Sequence, residues 1–186
     1  MTTSDVPRPT AAPAGPSARA PDAPPSAQGG VPTPVDILLV CSSGGHLLQL
    51  MALRDAWGEL TRAWVTDDTP DTRSVLGGED VTFAHGPTSR NLKTMMKNAF
   101  LAWGVIRTRR PAVILTTGAA IAVPFAWVAR MCGVCVVYVE SVTRITRPSL
   151  SARMVAPVVS RLYVQWPDLV GSVRRARYCG SVFSDP

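Results

Sequence analysis

The chain has 186 residues, of which 46% are hydrophobic and 17% charged. That is enough apolar material for one ordinary domain, short for two, and far from a wholly disordered composition. Four cysteines exclude a disulfide scaffold, and the N-terminus has no apolar signal segment, which together point to a reducing, cytosolic setting. The formal net charge of +6 calls for an anionic partner.

The charge is unevenly spread. Residues 1–35 are neutral, residues 36–80 carry a net −5, and residues 81–186 carry a net +11. One part of the surface is therefore strongly basic. Anionic lipid or a phosphorylated ligand fits it better than nucleic acid, because the aromatics do not interleave with the cations as a stacking platform would.

Residues 1–34 hold nine of the seventeen prolines and no Leu, Ile, Phe, Trp or Tyr. Such a segment cannot offset its ordering entropy and reads as a disordered tail, leaving residues 35–186 as the folded domain. Within it, Val35–Cys41 is a continuous apolar run, the pattern of a strand buried on both faces. Gly44 and Gly45 break it, and His46–Trp57 reads as a helix. Arg62–Thr66 is a second strand. Asp67, Asp68, Thr69 and Pro70 open a short helix that Gly77 and Gly78 end. Val81–His85 is a third strand, Asn91–Arg109 a long amphipathic helix stopped by Pro111, and Ala112–Thr117 a fourth strand. Ala119–Cys132 is a helix and Val134–Glu140 a fifth strand. A helix over Leu150–Val158 and strands at Arg161–Val164 and Arg177–Cys179 complete the chain. Repeated βα units predict an α/β fold, a single Rossmann-like, doubly wound parallel sheet with its ligand at the strand C-terminal ends. Ala119–Val139 has the length of a membrane span, but Pro124, Arg130 and Gly133 interrupt it, so it reads as a buried helix and strand.

Three segments at the predicted ligand edge carry candidate chemistry. The run Ser42-Ser43-Gly44-Gly45-His46 joins the first strand to the first helix. Paired glycines admit close backbone approach, and the helix N-terminus favours an anion, so the run reads as a phosphate or diphosphate cradle; the alternative is a plain Gly turn with capping serines. It matches neither GxGxxG nor a P-loop. His46, in the first helical turn, is a ligand contact or proton-transfer group, or simply a hydrogen-bonded helix-start histidine. Thr116, Thr117 and Gly118 repeat the geometry after the fourth strand, as a second binding loop or a Thr-capped turn. Glu140 and Ser141 end the fifth strand. Glu140 is the one acid between Asp80 and Asp168, a candidate base, or else a partner for Arg144 or Arg147.

Two other patterns carry less. Cys132 and Cys135 have CxxC spacing but sit at a helix end rather than a helix start, where a redox pair is activated. Asp67, Asp68 and Asp71 resemble a metal cluster, but helix capping accounts for them, so no metal and no cofactor is expected. On Asn91–Arg109, Leu92, Met95, Met96, Ala99, Phe100, Trp103 and Ile106 follow helical spacing beside Lys93 and Lys97. This helix is a membrane-surface element or a core helix with a basic outer face.

Taken in order, four motifs resemble one known family. They are Ser42-Ser43-Gly44-Gly45-His46, the run Arg110–Ala119, the run Val139–Ser151 with Arg144 and Arg147, and Val164-Gln165-Trp166-Pro167. The family is the acceptor-side, Alg14-like subunit of the split N-acetylglucosaminyltransferase that builds lipid-linked oligosaccharides, in a bacterial exopolysaccharide form. The chain is more distantly similar to the N-terminal half of the peptidoglycan glycosyltransferase MurG. The resemblance implies half of a GT-B glycosyltransferase that is inactive without its donor-binding subunit. It implies a polyprenyl-diphosphate-linked sugar as acceptor, a UDP-sugar donor such as UDP-N-acetylglucosamine, inversion of configuration, and a peripheral position on the cytoplasmic face of a membrane. Carried onto this chain, Ser42, Ser43, Gly44 and Gly45 with Thr116, Thr117, Gly118, Ser141 and Arg144 hold the acceptor, His46 or Glu140 is the base, and Gln165, Trp166 and Pro167 face the partner. The alternatives are a scaffold that recruits the donor-binding subunit, and a self-sufficient nucleotide-binding enzyme. Family members with an N-terminal membrane anchor differ from this chain, whose polar tail leaves membrane contact to Asn91–Arg110 or to the partner.

Overall fold

The computed structural model describes residues 33–86 and 91–183. The predicted tail, apart from Thr33 and Pro34, lies outside the described residues.

Seven strands form one parallel sheet: β1 (Ile37–Val40), β2 (Arg62–Thr66), β3 (Val81–Phe83), β4 (Val113–Thr116), β5 (Cys135–Val139), β6 (Arg161–Val164) and β7 (Ala176–Tyr178). Their spatial order is β3-β2-β1-β4-β5-β6-β7, the doubly wound order that the alternation of elements predicts. The chain builds outward from β1 in one direction, then returns through a long helix to start β4 on the other side of β1. Val40 lies beside Val65 on one side and Thr116 on the other. The order therefore reverses at β1 and β4, the switch point at whose C-terminal edge doubly wound sheets place their ligand crevice.

The helices are α1 (Gly45–Ala52), α2 (Pro70–Val75), α3 (Leu92–Arg109), α4 (Ala122–Met131) and α5 (Leu150–Val155). Each has a local cause. Thr69 caps α2 through its side chain, which accepts from the Thr72 amide, and Pro70 fits the first turn. Asn91 caps α3 by accepting from the Lys93 and Thr94 amides. That helix ends at Arg110, held in the left-handed region at φ 45°, one residue before Pro111. Several extents come out shorter than expected: the strand read over Val35–Cys41 is Ile37–Val40, that over Val81–His85 ends at Phe83, and the helix read over Ala119–Cys132 is Ala122–Met131. The first helix stops at Ala52 and continues as a 3-10 turn over Arg54–Ala56, and the last stops at Val155 rather than Val158.

Side chains alternate across the sheet. Leu38, Val40, Val65, Ile114, Val136, Tyr138 and Leu162 join the larger core, which α3, α4 and α5 cover. Leu39, Cys41, Trp64, Leu115 and Val139 join a smaller core on the other face with Leu47 and Leu50 of α1. There Trp57 meets Trp64 edge to face at 5.3 Å, and Arg62 packs over Trp57 while pairing with Glu79 at 2.7 Å. Ala119–Val139 is α4 followed by β5. No helix among the described residues is long and apolar enough to cross a membrane.

Cys41 leaves β1 into the smaller core. Burial pushes its thiol up to about 12, with the Asp67 charge adding to the rise. The thiol stays protonated and sterically closed through the neutral range. Alkylation of the native protein with iodoacetamide at pH 8, read by mass spectrometry, is expected to modify the exposed Cys179 while Cys41 reacts only on unfolding.

Candidate functional site at the strand C-terminal edge

Three loops meet at the reversal point, after β1, β4 and β5. The first begins in the half-buried Ser42 and Ser43 and turns at Gly44, whose φ of 74° and ψ of −133° suit glycine. Gly44 is the N-cap of α1, and no side chain among the described residues satisfies that helix start. First-turn amides thus face the crevice with the positive end of the helix dipole. A Cβ on Gly44 or Gly45 would meet nothing within 4 Å. The space over this backbone is open, as a cradle for an anion needs. Asp67, just past β2, accepts from the Ser43 amide at 3.3 Å and fixes the loop from behind.

The second loop is tied to the first by a reciprocal pair. His46 Nδ1 donates to the Thr117 carbonyl at 2.8 Å, and Thr117 Oγ1 donates to the His46 carbonyl at 2.8 Å. With the proton on Nδ1, the lone pair of the neutral ring sits on Nε2. Gly118 follows at φ 106°, and a Cβ there would lie 2.6 Å from the Tyr138 hydroxyl and 3.4 Å from His46 Cε1. Ala119 also takes a left-handed φ of 72°, a strained conformation for a residue with a side chain. The hydroxyls predicted to reach a ligand are spent inside the protein: Thr116 Oγ1 accepts from the Gly118 amide at 3.1 Å, and both threonines are buried.

The third loop is built on Glu140, which is fully buried. One carboxylate oxygen accepts from the Ser141 amide at 2.9 Å and the other from the Ser149 amide at 2.8 Å. The alternative partners Arg144 and Arg147 are exposed and, among the described residues, Glu140 forms no ion pair. Glu140 thus closes the loop 141–148 onto the N-terminus of α5. Tyr138, beneath it, has its hydroxyl pushed well above the usual tyrosine range, first by burial and then by the Glu140 charge. It pairs with Ser149 Oγ at 3.2 Å and stays neutral.

Sequence reasoning passed over Gln49. This buried side chain of α1 donates to the Glu140 carbonyl at 2.9 Å and accepts from the Val142 amide at 3.1 Å, joining the first and third loops. Its signal was a lone amide in the apolar helix GHLLQLMA. The Asp67–Asp71 run also works differently than expected. Thr69 is the cap, Asp68 pairs with Arg73 at 2.7 Å, and Asp67 serves the glycine loop. The late motif divides: Gln165 is buried, while Trp166 and Pro167 are exposed and the Trp166 indole donates to the Val142 carbonyl at 2.7 Å.

A family model described as "Oligosaccharide biosynthesis protein Alg14 like" matches residues 84–182, more than half of the chain. The chain belongs to the Alg14-like family. It is 26% identical to the UDP-N-acetylglucosamine transferase subunit ALG14 of Candida albicans over 76% of this chain and 75% of that protein. It is 28% identical to the same-named subunit of Eremothecium gossypii over 83% of each. Among solved structures, it superposes on Acinetobacter baumannii MurG with a TM-score of 0.64 at 14% identity, covering 81% of this chain and 47% of that one. It also superposes on a UDP-N-acetylglucosamine 2-epimerase from Rickettsia bellii with a TM-score of 0.61 at 9% identity, covering 78% and 44%. This Alg14-like chain therefore has the fold of one α/β half of those proteins and spans just under half their length.

The two glycine positions give opposite expectations. Gly45→Val has open space and is expected to change the melting temperature little while abolishing sugar transfer, because a branched side chain stands over the cradle. Gly118→Ala forces a Cβ against the buried Tyr138 hydroxyl at a left-handed φ, and is expected to cost about 2 kcal/mol or more. Thermal denaturation of both variants, with a transfer assay of the first, checks the pair.

Proposed function

We propose that this chain is the acceptor-side component of an N-acetylglucosaminyltransferase, completed by a separate donor-binding subunit. The observation that carries this reading is the crevice at the β1/β4 reversal. There the N-terminus of α1, which no side chain among the described residues caps, is tied by Gln49 to the loop that carries the exposed Arg144 and Arg147 and by the His46–Thr117 pair to the loop after β4. The relatives' designation as transferase subunits supports a glycosyltransferase component.

In this reading the cradle holds the diphosphate of a polyprenyl-linked sugar, with Ser42 and Ser43 hydroxyls, first-turn amides and Arg144 as its donors. Binding the diphosphate orients the acceptor hydroxyl. The hydroxyl oxygen attacks the anomeric carbon of the UDP-sugar from the face opposite the nucleotide. The bond to the UDP oxygen breaks, UDP leaves with that electron pair, and the base removes the hydroxyl proton. Of the two candidates, His46 fits this role, since its Nε2 is unpaired among the described residues. Both Glu140 oxygens are held by backbone amides, and Glu140 acts as the brace of the third loop.

His46→Gln is expected to lower kcat by roughly 100-fold or more, the range of a lost general base, with little change in melting temperature. Glu140→Gln is expected to lower the melting temperature, because an amide nitrogen replaces an acceptor facing an N–H. Its kcat below the transition should stay within about threefold, well short of a lost base. Assays of the complex with UDP-N-acetylglucosamine and a polyprenyl-diphosphate sugar decide the assignment. Unchanged kcat in His46→Gln and Gly45→Val, with the complex intact, would instead identify a scaffold that recruits its partner.

The acceptor lipid places this edge at a membrane, on the cytoplasmic side, and the helices on the larger core supply the contact. The predicted apolar stripe of α3 splits in two. Ile106 is buried and Met95 and Ala99 pack against the larger core, beside the buried Thr94, Asn98, Ala102 and Val105, whereas Leu92, Met96, Phe100 and Trp103 turn outward, with Phe100 74% exposed. Trp127 and Met131 of α4 and Met154 of α5 continue the patch. No carboxylate lies on α3, α4 or α5, while Lys93, Lys97, Arg107, Arg130 and Arg153 do. Exposed aromatics among cations suit an anionic bilayer surface. Cosedimentation with vesicles of phosphatidylglycerol and phosphatidylcholine is expected to weaken on adding salt, on Lys93→Glu/Lys97→Glu, and on Phe100→Ser/Trp127→Ser. Binding indifferent to all three would remove the membrane role of this face.

A further inference from the structure

Between α3 and α4, on the outside of the larger core, three hollows of about 470, 370 and 460 Å³ adjoin one another. Met131 lines all three and Trp103 lines the last two, so they form one trough. It begins at Val123 and Pro124, in the first turn of α4. It ends beside Pro111 and Val134, where the chain enters β4 and β5 at the opposite edge of the sheet. The first two hollows are walled by apolar side chains, Met96, Phe100 and Trp127 among them.

The last hollow is different, because Arg107 and Arg110 both line it. Both are exposed, and neither forms an ion pair among the described residues. The neighbouring Arg109, by contrast, is held by Asp80 at 2.7 Å. The Arg107 guanidinium lies over the Trp103 ring, 4.9 Å from its centroid, a stack that limits its freedom before any ligand arrives. No carboxylate lies on α3 or α4. Open carbonyls at the two helix ends would repel an anion, but several are already bonded. The Ile106 carbonyl accepts from the Arg110 amide, the Ala129 carbonyl from the Val134 amide, and the Arg109 carbonyl from the Val35 amide, each at 2.9 Å.

We propose that this end of the trough seats the phosphate of an anionic glycerophospholipid whose chains follow the apolar hollows, a site that rests on the membrane reading of this face given above. A trough that is apolar along its length and ends in two unpaired guanidiniums complements a molecule that is apolar along its length and ends in a phosphate. Guanidiniums match phosphate oxygens two by two. The phosphate is not that of the sugar acceptor. The 18 residues of α3 span about 27 Å and run from the acceptor edge of the sheet to the opposite one, so the seat and the glycine cradle are far apart. Residues 1–32 enter the fold near the seat, but they lack Leu, Ile and every aromatic and are a poor filling for the trough. A second copy would bring the same cations and no carboxylate on α3 or α4.

The test titrates the full chain calorimetrically with dihexanoyl phosphatidylglycerol below its micelle concentration, which reads a site apart from adhesion to a charged surface. Dihexanoyl phosphatidylcholine and glycerol phosphate are the comparison ligands, and both are expected to bind more weakly. Arg107→Gln/Arg110→Gln is expected to lose roughly tenfold or more in affinity, the range of lost hydrogen bonds to a charged group. Met131→Ser shortens the apolar wall and is expected to weaken binding as well. Arg161→Gln/Arg177→Gln removes the same charge elsewhere on the surface and is expected to bind like the parent. All these positions are exposed, and melting curves check that each variant is folded. Equal affinity in the folded Arg107→Gln/Arg110→Gln chain, or an equal loss in Arg161→Gln/Arg177→Gln, overturns the seat, while retained cosedimentation of the parent with phosphatidylglycerol vesicles leaves the membrane reading standing. A parent that binds neither soluble lipid nor vesicles overturns both. Glycerol phosphate bound as tightly as the lipid overturns the lipid in favour of a free phosphate ester. A parent that binds no lipid until Asp5→Asn/Asp22→Asn is introduced overturns it in favour of the chain's own N-terminal residues. Self-association that is lost in Met131→Ser overturns it in favour of a second copy.

Discussion

The crossover through α3 is the constraint on which the site depends. It carries the chain from β3 at one edge of the sheet back past β1 to start β4, so two strands far apart in sequence lie side by side. Their following loops then close on each other through the His46 and Thr117 pair. That pair does two things at once. It satisfies the loop carbonyl of Thr117 and adds a second donor to the His46 carbonyl in the first turn of α1, and it sets the tautomer of the His46 imidazole. The close contact of Gly118 with Tyr138 and His46 follows from the same approach of the two loops.

Charge at this edge is sorted by depth. The Glu140 carboxylate is buried and hydrogen-bonded by two backbone amides, and Tyr138 beneath it is kept uncharged by burial. The arginines of the same loop remain at the surface. A negative charge on the crevice floor and positive charges at its rim would oppose each other in water. Here both oxygens of the carboxylate are already bonded by backbone amides, and the arginines of the loop form no ion pair with it among the described residues. The first turn of α1 has no side-chain cap among the described residues, so its amides are not taken by the protein's own side chains.

The asymmetric covering of the sheet follows from handedness. Right-handed crossovers that run outward from β1 in the two directions put their helices on opposite faces. The return helix joins the second set, so three helices crowd one face and two serve the other. The crowded face has apolar surface to spare on α3 and α4, while on the other face α1 alone packs against the strand residues Leu115 and Val139 beyond β1. Both surfaces are consequences of the winding order and not of local composition.

The alternating strands and helices were legible in the chain because each relies on local signals. The apolar run at Ile37–Val40, the Thr69-Pro70 start, the Asn91 cap and the stop at Pro111 report short-range physics that tertiary packing did not overrule. The glycine loop and its place at the switch point follow from the same pattern. Side-chain direction was not legible. Thr116 and Thr117 read as ligand hydroxyls, yet their bonds lie within the loops. Glu140 reads equally as a base or an ion-pair partner, yet two amides hold it, one of them nine residues along the chain. The stripe on α3 has helical spacing whichever side faces the core; the bonds of Asn98 to the His85 backbone and the packing of Ala102, Val105 and Ile106 in the larger core go with one half turned inward. Sequence determined the elements, their order and the loops that carry the chemistry, since propensity and periodicity act within a few residues. Tertiary structure decided which polar atoms are spent inside the protein and which are left for a partner, because each hydrogen bond is set by groups that only the folded sheet brings together.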